Sequence, residues 1–376
     1  MSSVSFSDFI LRWQDAEYAL LLQKRGAVAR LWDSALAKGS IDLNAATELK
    51  AALVSAGILT SARAEIILPK PPPPAMTPTW ARRAASLLTL GATGKWDDNT
   101  VYEPCPVRNL DRGLYRDAKG KCYVYYIGWS PTFEGDQTGL FKTTDFVTSE
   151  RVSVDAPILA CGVPGDPDYG DVQVGTVIHD GTTFHMWYTA NANRSSMGDG
   201  GDYCTVCYAT STNGTQFTKH GRVMSIYSGS DGNADLYDPL VCIGHDGLPK
   251  MLVTGHRTDG TLGALAYTAP ALSGPWEAVR NAFISTIPFN IFLSDFWYEQ
   301  GQYHALYLDC TDNQNWYARS PDYMTLGRQF PLSASGPLTW EDASPYSFQA
   351  VSLSQDRRLL MLNSARIIGC WSGVPD

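Results

Sequence analysis

Residues 234–255 read ADLYDPLVCIGHDGLPKMLVTG. An acid–proline step, Asp238-Pro239, opens an apolar strand; His245, Asp246 and Gly247 make a turn, and a second apolar strand follows. Two short apolar runs joined by a Gly-containing turn are the pattern of an antiparallel hairpin. The phrase then extends into ALAYTAPALSGPWEAV (264–279), a third strand ending in a small-residue turn.

The same phrase recurs. It appears as VGTVIHDGTTFHMWYTAN (174–191) with CYATSTNGTQFTKHG (207–221), and as DFWYEQGQYHALYLD (295–309) with WYARSPDYMTLGRQF (316–330). An earlier, longer-turned copy is EPCPVRNLDRGLYRDAKGKCYVYYIGW (103–129) with GLFKTTDFVTSERVSV (139–154). A degraded last copy is FQAVSLSQDRRLLMLNS (348–364) with IIGCWS (367–372). Five copies of about four strands each predict an all-β main domain, a five-bladed β-propeller over residues 81–376, because radial repetition protects the strand edges. WARRAASLLTLGATGKW (80–96) is expected to lend a strand to the last blade and close the ring.

The N-terminal region follows a different pattern. From residue 5 to about 67 the apolar positions fall at helical spacing, with Ser7 as a cap, Gly39 as a stop, and a second helix over 44–56 opened by Asn44 and closed by Gly57. This predicts a small α-helical domain at 1–68, an anchoring or oligomerisation module. A proline-rich linker at 69–80, containing PKPPPPAMTPT, is expected to be stiff and extended.

Composition narrows the function. Of 376 residues, 44% are hydrophobic and 18% charged, and the net charge of −9 offers no basic face for nucleic acid. No run is apolar and long enough to span a membrane, and the N-terminus lacks a secretion signal, so the reading is of a chain made in the cytoplasm. The eight cysteines are scattered among apolar neighbours and read as reduced core residues. Cys204 and Cys207 form a lone CxxC without a second pair, so no metal site is assigned.

In a propeller the first strand of each blade lines the axis, so acids at its start converge. Those places hold Glu103, then Asp171 or Gln173, then Asp238, Asp295, and the stretch around Gln349; Asp97, Asp98 and Asp235 lie nearby in sequence. Crowded carboxylates raise one another's pKa, which suits an acid catalyst. They equally suit hydrogen bonds to sugar hydroxyls or an axial cation such as calcium. The plainer alternative is that the acid–proline steps only set blade-entry turns. No cofactor is implied. His256 and Arg257 follow a second strand, and Trp129 and Trp297 are candidates for stacking on sugar. His179 and His245 occupy equivalent turns and read as structural, His185 and His304 as core or edge. The glycine-rich loop 191–203 is a candidate recognition loop.

The phrases YDPLV…HDG, GTVIHDGTTFHMWYTA and LSGPWEAV resemble the five-bladed propeller glycosidases: arabinanases, xylosidases, invertases and levansucrases. The resemblance covers the strand-rich region and none of the N-terminal helices. It implies three axial acids. Asp98 or Glu103 would be base or nucleophile, and Asp238 the orienting aspartate. A glutamate acid is implied at the start of the fourth inner strand, where this chain has Ser294-Asp295. Two functions follow. One is a glycan-recognising propeller held by its helical anchor in a larger, oligomeric assembly, such as the tail or receptor-binding protein of a phage virion. The other is a glycoside hydrolase using these carboxylates.

Overall fold

The computed structural model describes residues 4–5, 40–41, 51–58, 80–82, 86–110, 113–133, 135–192, 204–224, 235–256, 262–284, 287, 290–299, 301–312, 314–327, 330–331, 334–335, 348–354, 357–363 and 368–373. The chain divides into two compact units: Met1–Met76 with His245–Gly247 and Tyr298–Gln302, and the remainder, Thr77–Gly244, Leu248–Trp297 and Tyr303–Asp376.

In the first unit, residues 51–55 are helical, and Gly57 follows at φ 62°. Its left-handed backbone and the Gly57 N–H bond to Val54 O end the helix as the sequence predicts. Val4–Ser5 pairs antiparallel with Ser40–Ile41, so Ser5 is extended rather than the start of a helix; the pairing satisfies both backbones. The rest of the predicted helical module, and most of the linker, lie outside the described residues.

The second unit, apart from the Tyr298–Gln302 end of one hairpin, is built from sheets, each matching one copy of the sequence phrase. The first runs Thr100–Pro106, Cys122–Trp129, Gln137–Thr143, Glu150–Arg151. The second runs Asp171–His179, Phe184–Asn191, Thr205–Ser211, Thr218–Arg222, with Arg108–Asn109 added parallel beside Ile178 and His179. The third is Leu236–Ile243, Pro249–His256, Leu262–Thr268, Glu277–Phe283, and the fourth Ile291–Glu299, Gln302–Asp309, Gln314–Ser320, Phe330–Pro331. The fifth combines Phe348–Ser354, Arg357–Asn363 and Ile368–Gly373 with Trp80–Arg82, which pairs antiparallel with Ile368–Gly373, and with Ala334–Ser335. A strand from the stretch after the proline-rich segment thus joins the last strands of the chain, as expected.

Second strands are buried on both faces, because each sheet is covered by its neighbours: Cys122–Trp129 is buried at every position but its last. Tyr125 and Ile127 of the first sheet pack with Val172, Val177 and Tyr188 of the second. Trp187 and Val206 of the second pack with Val241, Met251 and Val253 of the third. First strands meet one another: Phe348–Ser354 touches Thr100–Pro106, which touches Asp171–His179, which touches Leu236–Ile243. Residues at the heads of these strands are thereby gathered at one place.

Candidate active site

Two acid–proline steps interrupt their strands in the same way. The ladder between Thr100–Pro106 and Cys122–Trp129 shifts register between Tyr102 and Cys105, and that between Leu236–Ile243 and Pro249–His256 shifts between Tyr237 and Leu240. Each bulge holds the acid and its proline. Glu103 has φ 46° and Asp238 φ 52°, a left-handed conformation that side chains with a Cβ rarely adopt and that a following proline further disfavours. Both acids are half-buried. Strain of this kind is retained where surrounding contacts enforce it, and it gathers at functional sites.

Those contacts are visible around Asp238. Its backbone N–H donates to Thr189 Oγ1 (3.0 Å) on the second sheet, and Thr254 Oγ1 donates to its Oδ2 (3.1 Å). Gly175, on the first strand of the second sheet, accommodates the bulge: a Cβ there would stand 2.5 Å from Pro239 O and 2.7 Å from its ring. Gly175→Ala is therefore expected to lower stability by about 1–3 kcal/mol, as overpacking does. It should also reduce any activity that depends on Asp238; urea melts with the activity assay check both.

A third acid, Asp136, joins this cluster from outside the first strands. It precedes Gln137–Thr143 and is buried. Its N–H donates to Asp171 Oδ1 (2.8 Å), and Gln173 Nε2 donates to its Oδ2 (2.7 Å). The junction needs Gly135 at φ 95°, because a Cβ there would collide with the Gly170 carbonyl. Both acids sit in Gly-Asp steps, Gly135-Asp136 and Gly170-Asp171. That shared dipeptide was the only sequence signal for Asp136.

Electrostatics follow from burial and from the neighbouring carboxylates. Burial, then the charge of Asp171, pushes Asp136 up to about 6, with Gln173 and the nearby Tyr102 hydroxyl opposing. Burial raises Asp171, opposed by the Asp136 N–H and Asn191. Burial pushes Asp238 up to about 7 against the Thr254 hydrogen bond. Glu103 is held well above its usual range by burial, then by the charges of Asp238 and Asp136. Glu103 and Asp238 thus titrate as an interacting pair, each charge raising the proton affinity of the other.

A raised carboxylate has a cost at neutral pH. Asp238 binds its proton more tightly folded than unfolded, so stability is full below its ordinary pKa of 3.8 and is lost as pH rises to about 7. One pKa unit is about 1.4 kcal/mol, so the ceiling is ~4 kcal/mol, and partial solvent access roughly halves it. Asp238→Asn is expected to melt about 4 °C above the native protein near pH 8 and level with it near pH 4, a difference that scanning calorimetry resolves.

Asp98, Asp295 and Trp297 are engaged in other contacts. Asp98 accepts from Gly94 N–H (2.7 Å) and closes a turn; Asp97 is fully buried, bonded by Arg151 and by Tyr126 OH (2.7 Å), and serves packing. Asp295, a predicted catalyst, is buried and held bidentately by Arg108 at 2.9 and 2.6 Å. It is also out of register with Asp238. Thr189 lies opposite Gln173 and bonds the Asp238 N–H of the next sheet; Thr254 lies opposite Tyr237 and bonds the Leu293 N–H of the next sheet (3.1 Å). Leu293 therefore stands where Asp238 stands, two residues before Asp295. Trp297, predicted to meet sugar, is buried and stacked on His304 (centroids 4.9 Å apart, planes 7°), with Tyr317 beyond. Trp129 is half-buried opposite Thr100. His256 ends its strand opposite Leu262 and Gln349 lies opposite Met361, but both side chains, Arg257 and most of loop 191–203 are outside the described residues. Among the described residues no group of three or more His, Cys, Asp or Glu is arranged to hold a metal ion, and no helix is long and apolar enough to cross a membrane.

No protein-family model and no curated protein matches the sequence. Solved structures do match. A structure described as a GH130-family glycoside hydrolase study, on β-1,2 mannosidic linkages in Candida mannan, is 15% identical with a TM-score of 0.58, covering 82% of this chain and 99% of that one. A family 117 glycoside hydrolase from Zobellia galactanivorans is 13% identical with a TM-score of 0.57, covering 79% and 90%. A GH32 β-fructofuranosidase from Bombyx mori is 14% identical with a TM-score of 0.50, covering 76% and 61%. The fold is an all-β propeller. The likeness covers between 76% and 82% of this chain and is one of fold, shared with these glycoside hydrolases.

Proposed function

We propose that this protein is a glycoside hydrolase whose five sheets close into one five-bladed ring, with Glu103 and Asp238 as its reacting carboxylates. The observation that carries the reading is the matched pair of left-handed acid–proline bulges at φ 46° and 52°. A blade-entry turn alone requires neither the strained backbone nor the fixed hydroxyls around Asp238.

Glycosidic cleavage needs one carboxyl group protonated to give its proton to the leaving oxygen, and one charged to act at the anomeric carbon, directly or through water. Glu103, raised by burial and by both neighbouring carboxylates, keeps its proton and is the acid. Asp238, oriented by Thr254, is the charged partner. The charges of Asp238 and Asp136 add to burial in keeping Glu103 protonated, and Gln173 fixes Asp136. Asp98, Asp295 and Trp297 have no part in the reaction.

Glycan recognition without cleavage, with display on a virion or other assembly through residues 1–68, has less support. Those residues lie mostly outside the described ones, and the similar structures above are of glycoside hydrolases. The test is release of reducing ends from arabino-, xylo-, fructo- and manno-oligosaccharides and bacterial polysaccharides. Native protein should release them while Glu103→Gln and Asp238→Asn do not. Binding without products in the native protein would replace hydrolysis with recognition.

A further inference from the structure

The register that displaces Asp295 also identifies what the fourth sheet offers in its place. Tyr102 precedes Glu103 and Tyr237 precedes Asp238; Gln173 occupies the same position on the second sheet, and Phe292, preceding Leu293, occupies it on the fourth. Two of these side chains serve Asp136 of the cluster, and a third bonds the neighbouring Asp235. Tyr102 faces Asp136, Gln173 Nε2 donates to Asp136 Oδ2 at 2.7 Å, and Tyr237 OH donates to Asp235 Oδ2 at 3.3 Å. The fourth has no polar atom to do so.

Phe292 is instead 40% exposed, between buried Ile291 and Leu293. Strand alternation sends it to the face opposite both neighbours. Its position relative to the site is fixed by one hydroxyl: Thr254 Oγ1 accepts from the Leu293 N–H at 3.1 Å and donates to Asp238 Oδ2 at 3.1 Å. Single exposed apolar residues are ordinary, so exposure alone says little. Among the described residues, however, Phe292 and Phe133 are the two exposed Phe, Tyr or Trp side chains, and Phe133 lies three residues before Asp136. Every other described aromatic side chain is at least half-buried, in a chain that is 11% aromatic.

Resting on the glycoside-hydrolase reading, we infer that Phe292 is a substrate-positioning residue that receives the apolar face of the sugar ring beside Asp238. An aromatic ring presents a flat apolar surface with little conformational freedom to lose, and the C–H face of a sugar is its complement. Carbohydrate sites combine such a surface with a few placed polar groups, here the carboxylates opposite.

The test measures kcat and KM for native protein, Phe292→Ala and Phe292→Tyr on whichever oligosaccharide of the panel the native protein cleaves. Phe292→Ala should raise KM about tenfold with kcat within about threefold, while Phe292→Tyr, which keeps the ring, should restore native KM. Equal melting temperatures for the three proteins assign the change to binding. A native KM in Phe292→Ala overturns the inference and leaves the hydrolase reading standing. Absence of cleavage and of binding by native protein across the panel overturns both.

Discussion

Asp238→Asn is expected to lower kcat by about 10²–10⁴, the range that loss of a positioned acid or base produces. The amide keeps the shape of the carboxylate and can still meet the Thr254 hydroxyl, so the left-handed bulge and the Thr189 contact survive. What is lost is the charge that acts on the anomeric carbon. The pH profile separates this from a loosened fold. Asp238 is pushed up to about 7, so in the native enzyme activity should climb as pH rises through that value, with Glu103, held well above its usual range by burial and its acidic neighbours, supplying the proton. In Asp238→Asn the residual activity should lack that rise. Glu103→Gln should lose a comparable factor, and substrates whose leaving group needs no proton should recover most of it. A native profile that is flat between pH 5 and 8, or an Asp238→Asn enzyme within threefold of native, would remove Asp238 from the chemistry.

Much of this was legible in the sequence. Each quoted phrase became one sheet, because alternation of short apolar runs and Gly turns is local information that tertiary packing did not override. Glu103 and Asp238 stood out because proline after an acid at a strand head is a local mark. Asp136 was hidden: it reaches the cluster from the start of a third strand, through a fold-dependent meeting of Gly135 with Gly170. Asp295 misled for the converse reason. Counting from the phrase places it at a strand head, but register is set by hydroxyl–amide links between sheets, and these put Leu293 there. Trp297 looked like a sugar platform, yet the interleaved His304 and Tyr317 rings cover it. Burial depends on the neighbouring blade, and no spacing within one strand reveals it.

The displaced Asp295 carries the largest stability effect. Arg108 follows the first strand of the first sheet and adds to the second sheet, whereas Asp295 belongs to the first strand of the fourth. Their two hydrogen bonds, 2.9 and 2.6 Å, therefore tie blades that are not adjacent in the chain. The side chains are 13% and 2% exposed, so the pair is desolvated. Removing one partner from a buried pair leaves an uncompensated charge and costs about 3–5 kcal/mol. Arg108→Met, which keeps most of the volume, is thus expected to lose that much in a denaturant melt. Replacing both residues, as Arg108→Met with Asp295→Leu, removes the stranded charge and should regain most of the loss, since apolar substitutes for buried pairs are often neutral. The double-mutant cycle reads the coupling directly. Additive losses would mean the two charges are solvated separately and that the link between blades contributes nothing. A strongly non-additive result would show that this carboxylate holds the propeller together, leaving the acid–proline bulges to provide the reacting groups.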